Sequence, residues 1–456
     1  STLAPMARDA DLPAWLLAPF VGGCTPRAAR RIGMEVEIQG VDPTAGHRLG
    51  FGGERGIEAV LAYLAGHHGW QRQVEGDALI ALARDGATVT LEPGGQVELS
   101  TAPRATLAEL ELDYVRFLAE LDEVAAALAI QWTCLAVHPL DTPAAVGWVP
   151  KGRYRYLSRH LAGTGTLGHW MMKLTSGVQV ALDYGDEGEA IDLFRTAQAV
   201  APVIGALVAN SPFCAGGPAG VNDYRRHIWR ATDPARCGLL AGPHADPAYG
   251  FADYARHLLA LPLCFRWRAG AWGDGGGRTF ADLLAAGEAT AADWELHATS
   301  IFTEIRLKHF VEIRVCDHPG VDRVLPLVAL WVGLLYDERA RGAAWQLLGP
   351  VDFATLDALD RRAIAGGLAA VAYTHTVGDL ARELVALASA GLARLGDDPA
   401  LLAPLAADAA AAESPGDRVR TRCGHPGGRL DVARWLAYEK EQWRRYLARD
   451  ARGGRE

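Results

Sequence analysis

The chain has 456 residues, 50% of them hydrophobic, and a formal net charge of −9. It is long enough to bury a substantial core, and its lysines and arginines are dispersed on an acidic background, which excludes the basic stripe that a nucleic-acid partner requires. The opening stretch STLAPMARDADLPAWLL lacks the basic segment and apolar core of a signal sequence, and no stretch reads as a charge-free span, so the expectation is a soluble cytoplasmic protein with no membrane partner.

Residues 1–30 read as a helical lead-in, with Asp11 a possible cap ahead of Pro13. The first strand, Ile32 to Gln39, sends Ile32, Met34, Val36 and Ile38 to one face and Glu35, Glu37 and Gln39 to the other, because successive strand side chains point to opposite faces. Val89 to Ser100 sets Val89, Leu91, Val97 and Leu99 against Thr90, Glu92, Gln96, Glu98 and Ser100, with Pro93-Gly94-Gly95 as a bulge or kink between two half-strands. Apolar spacing at Leu107, Leu110, Leu112, Val115, Leu118, Leu121 and Val124 predicts a helix over Thr106 to Ala129. A third strand, Thr175 to Asp183, carries Gln179 on its polar face, and Glu187 to Ala209 is again helical. Gly216 to Gly277, rich in Gly, Pro, Trp and Arg, reads as loops over a binding mouth.

Ile305 to Val315 has the densest pattern, alternating Arg306, Lys308, Glu312 and Arg314 with apolar residues, His309 and Phe310 being the exceptions. Pro319 to Asp337 reads as a buried helix behind it, and the pattern from Val351 onward is helical. The expected division is a catalytic region over 1–345 and a helical C-terminal region over 346–456 packed on it. The seven cysteines are widely spaced without a CxxC pair, as reduced thiols would be, and only Cys316 adjoins a charged segment.

A solvated antiparallel sheet also alternates, but four such stretches bearing carboxylates or cations point to a site. If the polar faces converge, Glu35, Glu37, Glu92, Glu98 and Glu312 share one cavity, and their repulsion demands cations. Oxygen-only donors, with Gln179 as a further one, suit Mg²⁺ or Mn²⁺. Arg306, Lys308 and Arg314 offer fixed positive charge for a nucleotide or a transferring phosphoryl group. No P-loop, dinucleotide fingerprint or nucleophile elbow is present. Two further basic groups, around Lys151-Gly152-Arg153 and Arg225-Arg226, read either as carboxylate clamps or as solvated loops.

The strings GMEVEIQ, LEPGGQVELS, PKGRY, the segment from Met171 to Val180, ANSPF, YRRHIW and IFTEIRLKHFVEIR followed by ALWVGLLYD occur in order between about residue 30 and about residue 340. In them the chain resembles the plant-type glutamate–cysteine ligases, and the EVE and EPGGQVELS portions are similar to ligases of ergothioneine biosynthesis. The resemblance implies an α+β, glutamine-synthetase-like fold: a curved antiparallel sheet forming an active-site funnel, packed with helices, plus a C-terminal helical region. It implies ATP-dependent activation of the L-glutamate γ-carboxylate as an acyl phosphate and coupling to the amine of L-cysteine, with Mg²⁺ or Mn²⁺, in a monomer or homodimer.

Carried onto matching positions, Glu35, Glu37, Glu92, Glu98, Gln179 and Glu312 would hold metal, and Glu312 and Arg314 would be catalytic. Arg306 and Lys308 would meet nucleotide phosphates, and Lys151, Arg153 and Arg225 substrate carboxylates. Departures fall where the family reads GTEHE, MMRTCTVQVN and Gly-Ala-Asp-Gly-Gly and this chain reads GMEVE, MMKLTSGVQVA and Val315-Cys316-Asp317-His318-Pro319. They leave a second expectation, the same chemistry with another amino acid or small amine. A phosphotransferase of related fold and a non-catalytic sensor are the rival classes.

Overall fold

Short alternating runs joined by glycine-containing turns build a sheet. In the computed structural model, which describes residues 12–453, nine strands among those residues form the main sheet: β1 Ile32–Val41, β2 Gln71–Glu75, β3 Ala78–Arg84, β4 Ala87–Leu91, β5 Val97–Ser100, β6 Gln131–Thr133, β7 Gly177–Leu182, β8 Ile305–Leu307 and β9 Val311–Asp317. Their spatial order is β8-β9-β7-β1-β5-β4-β3-β2, every pairing antiparallel, with β6 on the far end of β1.

Two stretches expected as single strands are hairpins. Thr90 pairs with Glu98 and Leu91 with Val97, so Pro93-Gly94-Gly95 turns the chain back rather than kinking it. Likewise Ile305 pairs with Ile313 and Arg306 with Glu312 around a tight turn in which the Lys308 N–H donates to the Phe310 carbonyl at 2.8 Å. His309 and Phe310 break the alternation because they lie in that turn. The polar faces survive, since residues opposite one another in a hairpin share a face.

The helices used below are α1 Ala14–Val21, α2 Leu107–Leu128, α3 Gly152–Thr164, α4 Gly168–Leu174, α5 Glu187–Val208, α6 Tyr224–Arg230, α7 Ala291–Ala298, α8 Val324–Leu335, α9 Val377–Leu395 and α10 Val432–Gly453. Behind the sheet, α2 packs on β1, α5 on β9 and α8 on β7. α5 packs most extensively behind the charged strand, while α8, expected there, packs chiefly on α9 and reaches the strand through Trp331 beside Cys316. Thr106 and Glu109 cap α2 reciprocally. Its buried stripe includes Tyr114 and Phe117, while Leu112, expected in it, is 69% exposed.

Among the described residues α5 is the one helix long and apolar enough to cross a membrane, at a hydropathy of 1.4, but 89% of that window is buried inside the protein. Residues 216–277, expected as loops, contain α6, a helix at Phe251–Leu259 and a hairpin of Phe265–Arg268 with Ala271–Asp274. Asp11 lies outside the described residues, and α1 follows Pro13 directly. Leu380, Leu384 and Ala388 of α9 share one apolar core with Val178 and Val180 of β7.

Candidate active site

Strand register sets out the acids. Glu37 lies opposite Glu98, Glu98 opposite Thr90, and Glu35 opposite Gln179. Glu92 enters from the β4–β5 turn, closed by Gly95 N–H to the Glu92 carbonyl at 2.8 Å. Gly95 there has a φ of +83°, and a side chain on Gly94 would strike the Lys173 backbone. Gln96 ties the turn to α4 and its exit, donating to the carbonyls of Met172 at 3.3 Å and Thr175 at 2.9 Å.

The cations come from the other half of the sheet. Arg306 Nε donates to Glu312 Oε2 at 2.6 Å, Lys308 Nζ reaches Oε1 at 3.3 Å, and Arg314 Nη1 reaches Oε2 at 3.2 Å while also donating to Gln179 Oε1. Burial works to raise the Glu312 carboxyl, but these three cations together hold it below the usual carboxylate range. A bulge in β9 follows Ile313: Ile313 pairs with Val180 and Cys316 with Val178, so Arg314 and Val315 on one strand oppose the single Gln179 on the other.

That extra residue turns Cys316 onto the apolar face beside Val178. Its thiol is buried and pushed up to about 12 by burial, so Cys316 does not join the site. All seven cysteines are free.

Both groups face one cavity of about 250 Å³, lined by Glu35, Glu37, Glu92, Gln96, Glu98, Gln179, Arg153, Arg306 and Arg314. Apolar residues close it: Leu157, Met171 and Met172 from α3 and α4, Trp229 from α6, and Phe265 and Phe302. Arg314 packs 5.8 Å from the Trp229 ring centre. These walls were missed in the sequence. YRRHIW and the Met171-Met172 pair were visible there as family strings, but nothing local to them says that they meet the acids.

Four expected residues do not line the cavity, the first being Glu312, which is buried against its three cations instead of sharing the cavity with the other acids. Arg225, expected on a substrate carboxylate, is 2% exposed behind the wall; its guanidinium donates to the Arg314 and Val315 carbonyls and lies 3.9 Å from Asp317. It thereby holds the bulge that carries Arg314. Lys151 donates to the Leu91 carbonyl at 2.7 Å, and burial brings its ammonium down to about 8 against the pull of Glu92. Lys308 borders a neighbouring cleft as well as Glu312.

The acids are held at a cost. Burial, then repulsion from Glu35, Glu92 and Glu37, raises Glu98 well above the ordinary range. Burial and Glu92 push Glu37 up to about 7 although it accepts from the Gly177 N–H at 2.8 Å. Glu35 is raised by burial and by Glu312. Among the described residues no three His, Cys, Asp or Glu groups are drawn tightly enough together to hold a metal ion. The donor chemistry nevertheless fits a hard divalent cation: all the donors are oxygens, no histidine or cysteine lines the cavity, and a cation would offset the repulsion. Glu312 and Gln179, expected among the ligands, are engaged here by cationic side chains.

Carboxylates and guanidinium groups converging from one sheet face on a single cavity equip an enzyme to handle phosphate on a hard metal. The chain belongs to glutamate–cysteine ligase family 2, whose model matches residues 31–442, and is accordingly an ATP-dependent carboxylate–amine ligase. It is 34% identical over 388 residues to the chloroplastic glutamate–cysteine ligase of Brassica juncea, covering 84% of this chain and 75% of the relative. It is equally similar to the Arabidopsis thaliana enzyme of that name, covering 84% of this chain and 74% of that one. The fold matches a crystal structure of glutamate–cysteine ligase from Francisella tularensis in complex with AMP, with a TM-score of 0.54, 12% identity and coverage of 93% of this chain and 94% of that one.

Proposed function

We propose that the protein joins the γ-carboxylate of L-glutamate to the amine of L-cysteine at the expense of ATP, giving γ-glutamylcysteine, ADP and phosphate. The observation that carries this reading is the single cavity in which five glutamate and arginine side chains of one sheet, Glu35, Glu37, Glu98, Arg306 and Arg314, face one another; the relatives' names supply the substrates.

A γ-carboxylate oxygen attacks the terminal phosphorus of ATP and ADP leaves. The amine nitrogen then attacks the acyl-phosphate carbon, phosphate departs with the C–O bond, and the nitrogen loses a proton. Arg314 stands where the transferring phosphoryl group needs its oxygens neutralised, and Arg306 and Lys308 where the nucleotide's phosphates do. Phosphate oxygens compete with Glu312 for these cations and so free its carboxylate. Arg153 is the cavity-lining cation for a substrate carboxylate. Glu35, Glu37, Glu92 and Glu98 would hold Mg²⁺, or Mn²⁺ in its place. When bound, that cation shields phosphate charge and polarises the reacting oxygens.

The Met171, Met172 and Phe302 wall suits the small soft side chain of cysteine, and equally another small apolar amine, which keeps that acceptor as the second reading. ADP release with Mg-ATP and L-glutamate against a panel of amines, with masses of the products, tests both. A γ-glutamylcysteine mass with cysteine strongly preferred is the expected result. Preference for another amine replaces the acceptor, and ADP release with a stable phosphorylated product and no amine overturns the ligase chemistry.

A further inference from the structure

A chain of ion pairs runs from the helical C-terminal region to the back of the catalytic cavity, and no step above uses it. On the helix Phe353–Gly366, Asp360 accepts from Arg226 Nη2 through Oδ1 and from Arg230 Nη1 through Oδ2 at 2.6 Å, and Asp357 accepts from Arg230 Nη2 at 2.5 Å. Arg226 Nε reaches on to Glu304 Oε1 at 3.4 Å. Arg226 and Asp360 are fully buried, and Glu304 is nearly so. The same helix holds the start of α6 by its backbone, because the Asp223 N–H donates to the Ile364 carbonyl at 3.0 Å.

The other end of the chain meets Arg314. The Glu304 carbonyl accepts from the Arg314 N–H at 2.8 Å, while Arg225, next to Arg226 on α6, donates to the Arg314 carbonyl at 3.3 Å. Trp229, one turn on from Arg226, lines the cavity with its ring centre 5.8 Å from the Arg314 guanidinium. Both residues that grip the Arg314 peptide, and the ring beside its side chain, are thus set by where Arg226 lies. The network does not recommend itself as a source of stability, since buried ion pairs replaced by apolar groups often cost the fold nothing. The fold even gives way to it: a side chain on Gly205 of α5 would come within 2.7 Å of Arg226 Nη1, so that helix carries a glycine where it passes the guanidinium. What the network supplies is geometry.

We propose that Asp360 is a positioning residue for the reaction: it fixes Arg226, and through Arg226 sets Glu304 and α6 so that Arg314 points at the transferring phosphoryl group. The inference rests on the ligase reading for the task of Arg314. Asp360→Asn is expected to lower kcat about tenfold while the KM for glutamate stays within about twofold, because a misplaced catalytic group costs rate rather than substrate binding. In an Arg314→Lys background the same change should lower kcat by no more than about twofold further, since its effect runs through a guanidinium already gone. A full further tenfold loss, which general destabilisation would give, overturns the proposal. So does an unchanged kcat in Asp360→Asn alone. A third measurement needs no turnover. In protein labelled with ¹⁵N-arginine, the Arg314 Nε–H resonance, assigned by its loss in Arg314→Lys, should move in Asp360→Asn, and an unmoved resonance overturns the proposal. Absence of glutamate-dependent ATP turnover in the unaltered protein would fail the ligase reading alone, because the resonance reports the placing of Arg314 whatever the reaction.

Discussion

Glu37 and Glu98 stand directly opposite one another on β1 and β5, both buried, at 8% and 9% exposure. Two like charges side by side out of water destabilise the fold unless a proton or a cation intervenes. The site is thus built against the stability of the empty protein.

Glu98→Gln should therefore stabilise the metal-free protein by on the order of 1–3 kcal/mol while removing most of its activity. Thermal melts with and without Mg²⁺ check this: the cation should raise the melting temperature of the unaltered protein and raise that of the variant much less. A variant less stable without metal would show that the carboxylate is not held at a cost.

Glu312→Gln removes the partner shared by Arg306, Lys308 and Arg314. Turnover should fall by about 100-fold or more, the scale on which preorganised charge acts in catalysis. The metal-free melting temperature should fall as well, because buried cations lose their counter-charge, and saturating ATP should restore part of it. Unimpaired ADP release would remove Glu312 from the mechanism.

In Arg314→Lys the charge stays and the fork goes. The guanidinium reaches Gln179 and Glu312 together, which one ammonium cannot reproduce. The expected loss is about 100-fold in kcat, corresponding to ~2.7 kcal/mol of barrier, with the melting temperature little changed. Near-native kcat in steady-state assays would contradict the role.

Glu439 of α10 gives the pH prediction. It is buried, accepting from Thr133 Oγ1 at 3.0 Å and the Cys134 N–H at 3.3 Å, and burial pushes its carboxyl up to about 7 from 4.5. Between these values the folded state keeps a proton that the unfolded chain has released. Its contribution is fully present below about 4.5 and is lost as pH rises through about 7, a change on the order of 3 kcal/mol. Glu439→Gln should flatten the fall in stability over this window, measured by urea melts from pH 4.5 to 8. An unchanged slope would mean that Glu439 is ionised in the fold.

The parity of strand side chains was legible in the chain itself. Glu35, Glu37, Glu98, Gln179, Arg306 and Glu312 were placed on polar faces by period-two alternation, a local property that survives whether 89–100 and 305–315 run straight or turn back as hairpins. Family strings named the chemistry. The β9 bulge was not legible, because an extra residue shows only against a partner strand, and it decides that Cys316 faces the core, whereas alternation alone already put Arg314 on the charged face. Nor was the fate of Arg225, whose charge is spent on carbonyls brought to it by the fold. By itself the sequence determined which side chains could share a face and what ligands such a face would suit. Only the tertiary structure decided which faces meet, that Arg314 reaches Gln179 as well as its strand neighbour Glu312, and which apolar residues wall the acids, because these contacts join segments far apart in the chain and carry no local signal.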